Sequence, residues 1–305
     1  MDRELPRTLR TLEPNHQHGL AASDYEVIVV DNGSRQRVDP LLKGLAADVR
    51  VVRIDPAPPS PAFAANHGVS LARGDLVGLV IDGARLASPG LLAGARRAAT
   101  LSHRAVITAP AFHLGHETHM RAAESGYDQR VEDELLATVP WEDDGYQLFF
   151  ISTPAGSSSR GLFGPMGESS SIFMNRALWD ELGGLDTKFR LPGGSLVNHD
   201  LYRRACELPE TELIVLLGEG TFHQYHGGAA TSGRLGWKQM HDEYLTVRGH
   251  RFRPPDTPPL FVGGVHPSLY EYLEHSARLA IHRRRARDDR VPSRLDSISR
   301  PETEA

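Results

Sequence analysis

Tyr25-Glu-Val-Ile-Val-Val-Asp-Asn-Gly-Ser34 is the stretch on which the reading of the fold turns. A run of β-branched residues ends abruptly in Asp31, Asn32, Gly33 and Ser34. That pattern predicts a buried strand that delivers a carboxylate and a tight polar turn to the edge of a sheet. Ligands of open α/β sheets sit beyond the carboxyl ends of such strands, so a nucleotide would be met here. An ordinary strand followed by a capped turn is the other reading of these ten residues.

Outward from this strand the first hundred residues alternate. Strand-like runs at 26–30, 49–54 and 76–81 are separated by helical candidates at 40–47 and 61–72, and a further helix is expected at 89–101. Alternation at this spacing predicts right-handed βαβ units and a mostly parallel central sheet flanked by helices. Residues 104–109 continue it as a fourth strand. The chain then turns polar and helical over 113–138 and returns to a strand at 147–152. Glycine and serine dominate 154–171, which reads as a mobile loop. A strand at 171–174, helices at 176–182 and 196–207 and a strand at 212–217 complete the core. The expected organisation is a main domain over 1–250, a linker and helix over 251–287, and a disordered tail over 288–305, where charges outnumber apolar residues.

Composition narrows the function classes. The 305 residues are 40% hydrophobic, enough for a sizeable core. The net charge of −5 argues against a nucleic-acid binder, which would carry a basic face. Cys206 is the only cysteine, so no internal disulfide forms and a reducing cytoplasm is the expected location. No apolar run reaches the length of a membrane span, and the charged start Met1-Asp-Arg-Glu-Leu-Pro6 lacks the apolar core of a signal peptide.

Four stretches, in this order, resemble the family 2 glycosyltransferases of the GT-A fold: 27–34; Asn66-His-Gly-Val-Ser-Leu-Ala-Arg-Gly-Asp75; Leu79-Val-Ile-Asp82; and Gly183-Gly-Leu-Asp-Thr-Lys-Phe189 with the helix after it. The resemblance spans roughly residues 5–230. It implies that Asp31, with Asn32 beside it, accepts a hydrogen bond from the base of a nucleotide-diphosphate sugar. It also implies that Asn66 lines the nucleoside pocket and that Asp82 lies near the ribose; a helix-surface amide is the other reading of Asn66.

The match has departures. Asp82-Gly-Ala84 stands where the family has Asp-x-Asp, so the second acid, the usual ligand of Mg²⁺ or Mn²⁺, is Ala84. Hard cations need oxygen donors, and the loss weakens the site. Either the metal is held differently or a protein cation replaces it; Arg85 is one candidate, with a solvated surface arginine as the alternative. Val197 and Asn198 replace the Glu-Asp pair whose acid deprotonates the acceptor hydroxyl. Asp200 or His199 can serve as base. Yet Asp200 lies three and four residues before Arg203 and Arg204, the spacing of an ordinary helical ion pair.

His223-Gln-Tyr-His-Gly-Gly228 follows a strand, where related enzymes often carry a histidine that touches the metal or the donor diphosphate. The resemblance implies that His223 or His226 takes this role beside Asp82, and Gly227 and Gly228 allow close approach of backbone to a phosphate. His113, His116 and His119 recur every third residue without a recognised metal pattern, which favours a solvated loop or helix face.

The family's fold normally opens with an apolar strand. Here residues 3–12 already read as the first helix, with Leu5, Leu9 and Leu12 at helical spacing, and the central strand before it is expected to be missing. Residues 269–287 predict a C-terminal helix whose last turns are basic, giving either a solvated face or a weak contact with an anionic membrane surface. Two readings follow. One is a glycosyltransferase, inverting if Asp200 or His199 acts opposite the leaving group, with a hydroxyl acceptor. The other is a degenerate GT-A module that binds a nucleotide sugar or a partner protein without transfer.

Overall fold

The computed structural model describes residues 1–227 and 236–287. Eleven strands are described: β1 Glu26–Asp31, β2 Asp48–Arg53, β3 Leu76–Val80, β4 Arg85–Ala87, β5 Ala105–Thr108, β6 Ala111–Leu114, β7 Ser152–Pro154, β8 Ser171–Asn175, β9 Glu212–Leu216, β10 Thr221–His223 and β11 Leu260–Val262. The α-helices are α1 Glu4–Thr11, α2 Ala62–Leu71, α3 Leu91–Ala98, α4 His119–Glu124, α5 Gln129–Leu136, α6 Arg176–Leu182, α7 Val197–Glu207, α8 Trp237–Arg248 and α9 Tyr270–Arg287. No described helix is long and apolar enough to cross a membrane.

Three sheets result. A five-stranded sheet runs β11-β9-β5-β8-β3, with β9 parallel to both β5 and β11 and β8 antiparallel to β5 and β3. A four-stranded sheet runs β4-β10-β6-β7, and β1 pairs in parallel with β2. Helix α2 packs on both β1 and β3. These two strands do not pair with each other among the described residues, so each keeps one edge outside the described ladders.

The main core lies between the five-stranded sheet and helices α6 and α7, with Val106, Phe189, Val197 and Ala205 all fully buried. Alternation on β9 sends Leu213 and Val215 into this core and Ile214 and Leu216 toward α3, as period-2 strands require. Two expected elements differ. Residues 147–152 lie largely in a 3₁₀ helix, Gly145–Ile151, which Asp144 caps by accepting the Tyr146 amide at 3.0 Å. The helix expected at 40–47 is reduced to one 3₁₀ turn, Asp39–Leu42, because a segment with Gly44 in the left-handed region cannot propagate it. The segment 251–287 also adds an edge strand, β11, beyond the expected linker and helix. The expected tail, 288–305, lies outside the described residues.

Candidate functional site

The site is organised by one sheet row. Register pairs Arg85 with His223 across β4 and β10, His223 with His113 across β10 and β6, and His113 with Thr153 across β6 and β7. Residues in register share a face of the sheet. The neighbouring row, Leu86, Phe222, Phe112 and Pro154, takes the opposite face, and its first three side chains are buried in an apolar cluster. One face is thus greasy and structural, and the other carries an arginine and two histidines.

Asp82 reaches this row from the turn after β3. Its backbone is left-handed, with φ 76°, and its Oδ1 accepts the Ala84 amide at 3.0 Å. That turn aims Oδ2 at the histidines. Asp82 Oδ2 lies 3.2 Å from His223 Nε2 and 3.0 Å from His226 Nε2, and the two nitrogens are 3.1 Å apart. Burial alone would raise the Asp82 carboxyl, but hydrogen bonds to His223 and His226 outweigh it and hold Asp82 well below the usual range. Burial, with Arg85 nearby, pushes His223 down to about 4, whereas contact with Asp82 outweighs burial and raises His226. Ala84 has no exposure, so the place of the second acid is filled by a packed methyl group.

Arg85 is not a surface arginine. Its Nε donates to the Ile81 carbonyl at 3.3 Å, its Nη1 is buried without a partner among the described residues, and burial lowers its pKa between the charges of Asp82 and Glu168. It is a cation held inside the site.

The expectation for the 113–119 histidines is corrected. His116 is exposed, but His119 has no exposure and His113 is half-buried, with their ring centroids 4.4 Å apart. The spacing misled because β6 turns into α4 after Leu114, folding His119 back so that its amide donates to His113 Nδ1 at 2.8 Å. His119 Nε2 lies 3.2 Å from the Leu114 carbonyl, and its ring is 5.1 Å from that of His223. Behind it Glu132 of α5, also without exposure, accepts the Tyr225 amide at 2.7 Å and a guanidinium N–H of Arg3 at 2.7 Å. Arg3 also donates to the Tyr225 carbonyl at 2.9 Å, so helices α1 and α5 clamp the loop that carries His226. Nothing in the sequence marked Glu132 or Arg3; each sits in an unremarkable helical pattern, and only tertiary contact gives them a role.

The other expected site residues are placed as follows. Asp31, buried at the end of β1, binds Arg53 Nη1 at 2.7 Å and the Ser34 amide at 2.8 Å, capping its own turn. Asn32 donates to the Pro58 carbonyl at 3.0 Å, and its Oδ1 is buried without a partner among the described residues. Asn66 donates to the Leu185 carbonyl at 2.8 Å and accepts the Leu185 amide at 2.9 Å, fastening the Gly183-Gly184 turn to α2. Asp200 has no exposure and binds Arg204 Nε at 2.7 Å, Arg248 Nε at 2.5 Å and Arg248 Nη2 at 2.6 Å. The helical ion pair, extended by Arg248 of α8, is what the structure shows there. His199, one residue earlier, has its Nδ1 3.4 Å from Glu168 Oε2 and its ring edge-on to Phe252. Glu168 sits in the 154–171 loop, where no sequence signal singled it out. Gly227 is left-handed, with φ 67°, and Gly228 lies outside the described residues.

The family model for glycosyl transferase family 2 matches residues 3–155, half of the 305-residue chain. The chain belongs to glycosyl transferase family 2. Its mixed α/β layering, with helices flanking the sheets, is the GT-A fold of that family. No curated protein sequence matches this family 2 member. Among solved structures, the mannosyltransferase PcManGT from Pyrobaculum calidifontis, in complex with GDP-Man and Mn²⁺, aligns with TM-score 0.49 and 14% identity, over 91% of this chain and 67% of that one. TarS of S. aureus aligns with TM-score 0.47 and 10% identity over 80% of this chain. The present chain spans 40% of that TarS chain and 62% of TarS 1–349.

Proposed function

We propose that this chain transfers a sugar from a nucleotide-diphosphate donor to a hydroxyl acceptor, with Asp82, His223 and His226 holding a divalent cation at the diphosphate. The triangle of Asp82 Oδ2, His223 Nε2 and His226 Nε2, with sides of 3.0–3.2 Å, carries the reading. Two ligands about 2.1 Å from one ion and at right angles to it stand about 3.0 Å apart, so these atoms match one face of an octahedral shell. Such an ion, when bound, would supply Lewis-acid stabilisation of the leaving diphosphate. Two imidazoles and one carboxylate suit Mn²⁺ better than Mg²⁺, which prefers oxygen ligands alone. On this reading His226 replaces the missing acid, and Arg85 adds a fixed positive charge behind Asp82.

The protein's own groups divide the remaining work. Asp31 and Asn32 lie at the carboxyl end of β1, where a nucleobase is expected; Asp31 keeps unused lone pairs after binding Arg53 and the Ser34 amide. With Asp200 pinned, His199 is the base in this proposal, and attack on the face opposite the leaving group would invert the anomeric carbon. Glu168 Oε2 approaches His199 Nδ1 to 3.4 Å without a hydrogen bond as the side chains stand, and on this reading would close on it to orient the ring.

One observation favours the rival reading, a module that binds a nucleotide sugar without transfer: Val197 has no exposure and lies in the core where the family carries an acid. Calorimetric titration of UDP, dTDP and GDP, each with and without Mn²⁺, tests the shared part of both readings. The proposal expects nucleotide binding that Mn²⁺ strengthens and that Asp82→Asn or His226→Ala abolishes. Binding indifferent to Mn²⁺ in a folded sample would discard the cation site. Release of free nucleotide from a bound nucleotide sugar, lost in His199→Ala, separates the enzyme from the module.

A further inference from the structure

His223 has two ring nitrogens, and the triangle uses one of them. Its Nδ1 is buried and has no partner among the described residues. The same is true of His119 Nδ1. The two rings are both buried, with centroids 5.1 Å apart and planes at 36°. These two are adjacent, one a possible donor and the other a possible acceptor, and an unpaired buried polar group calls for an explanation.

The proton positions follow from what each ring already touches. His119 Nε2 lies against the Leu114 carbonyl, which can only accept, so that nitrogen carries the proton and Nδ1 of the neutral ring is a lone pair. A histidine whose Nε2 ligates a cation keeps its proton on Nδ1 and needs an acceptor for it. His223 then offers a donor and His119 an acceptor; neither bonds the other as the rings stand, and a turn of one ring would join them.

We propose that His119 is a positioning residue for the cation site: it receives the Nδ1 proton of His223 and fixes the tautomer and ring angle in which His223 Nε2 faces the ion. The inference rests on the cation reading above. The chain of contacts then runs from Asp82 and His226 through His223 to His119, and from His119 to the Leu114 carbonyl, with Glu132 Oε2 3.8 Å from His119 Nε2. Helix α4 thereby acquires a reason to start where it does, since placing His119 at its first turn puts the ring under β10. His113 completes the packing around this pair: it already accepts the His119 amide on Nδ1, so its neutral ring carries the proton on Nε2 and cannot ligate through that atom without giving up that bond.

An alternative arrangement uses the same rings differently. One nitrogen from each of His113, His119 and His223 lies within 4.8 Å of the others, so the three could hold an ion of their own. The tautomer of His113 speaks against it, and the experiment below decides.

Zn²⁺, Co²⁺ and Mn²⁺ are titrated into the full chain by calorimetry, with Co²⁺ also followed by its visible absorption, for wild type, Asp82→Asn, His119→Leu and His119→Asn. Asparagine and leucine have nearly the same shape, but only asparagine places an acceptor oxygen near the position of Nδ1. The expected result is one ion per chain, affinity about 10–100-fold weaker in His119→Leu, and most of that loss recovered in His119→Asn. Equal affinity in wild type and His119→Leu overturns the inference while leaving the cation site standing. Two ions in wild type, one of them lost in His119→Leu, overturns it in favour of a three-histidine site. No ion bound to the folded wild type removes the cation reading itself, and this inference with it. Should the His119 variants fail to fold, nitrogen-15 spectra of Zn²⁺-loaded wild type give the answer directly: a scalar coupling between His223 Nδ1 and His119 Nδ1 is expected, and its absence in a loaded sample refutes the contact.

Discussion

His226 Nε2 stands 3.0 Å from Asp82 Oδ2 across a sequence separation of 144 residues. The contact joins the turn after β3 to the loop after β10, and each side perturbs the other. Burial disfavours the charged form of both, yet the pairing wins, lowering Asp82 and raising His226. The consequence is measurable without any ligand. In wild type, His226 should titrate above the ordinary histidine value of about 6.5, and in Asp82→Asn it should titrate lower than in wild type, because burial and Arg85 are then opposed only by Glu4. Nitrogen or proton shifts of the His226 ring against pH report both values, and an unchanged midpoint in the variant would show that the pair is not coupled.

Asp200 makes a different kind of prediction, one of stability rather than turnover. Its carboxylate is fully buried and shared by Arg204 and Arg248, so removing the charge takes an anion from two partly buried guanidinium groups, leaving Arg248 with Asp186 at 2.9 Å and Arg204 with the Leu182 and Gly184 carbonyls. Breaking a buried pair by deleting one partner costs about 3–5 kcal/mol; the two arginines keep some contact with water, so the lower end is expected. Asp200→Asn should lower the urea midpoint by the corresponding amount while nucleotide affinity, measured where the variant is folded, stays within about twofold. A variant as stable as wild type but inactive would instead return Asp200 to the role of base.

Asn66 separates structure from ligand binding in the same way. Both ends of its amide are committed to the Leu185 backbone, and a Cβ on Gly184 would come within 2.5 Å of its Oδ1. Asn66→Ala should destabilise the fold by about 2 kcal/mol, the cost of leaving a partly buried amide and carbonyl unpaired, and Gly184→Ala should do the same by strain at φ +64°. Nucleotide titration of folded Asn66→Ala should match wild type. A large loss of affinity with unchanged stability would place Asn66 in the nucleoside pocket after all.

Much of this was legible in the sequence, and the failures have a common cause. The strand ending at Asp31, helices α2, α6 and α7, and strands β3, β5 and β9 all announce themselves by local periodicity. Asp82, His223 and His226 were singled out through the resemblance to family 2, whose motifs fall at or just after strand ends. Local pattern could not show that Asp200 meets Arg248 from α8 as well as Arg204 one turn on, nor that the chain doubles back between His113 and His119. It also gave no hint of Glu132, whose helix looks like any amphipathic surface helix until Arg3 and Tyr225 close over it. Long-range polar contacts leave no periodic trace, so buried charge is where sequence reading falls short.

Glu132 offers the sharpest pH test. Burial pushes its carboxyl up from 4.5 to about 7, against the opposing pull of the Tyr225 amide and Arg3. Below the unfolded value both states hold the proton and Glu132 adds no pH dependence. Between about pH 4.5 and 7 the unfolded chain releases a proton that the folded chain keeps, so stability falls as pH rises; above about 7 the loss is complete. The shift corresponds to about 3 kcal/mol. Glu132→Gln cannot titrate and lacks this slope, so its stability relative to wild type should improve steadily from pH 4.5 to 7.5. Urea unfolding of both proteins at half-unit steps measures the difference. Parallel profiles would mean that Arg3 keeps Glu132 charged throughout, and the clamp on the His226 loop would then be an ion pair at every pH rather than a neutral contact at the acid end.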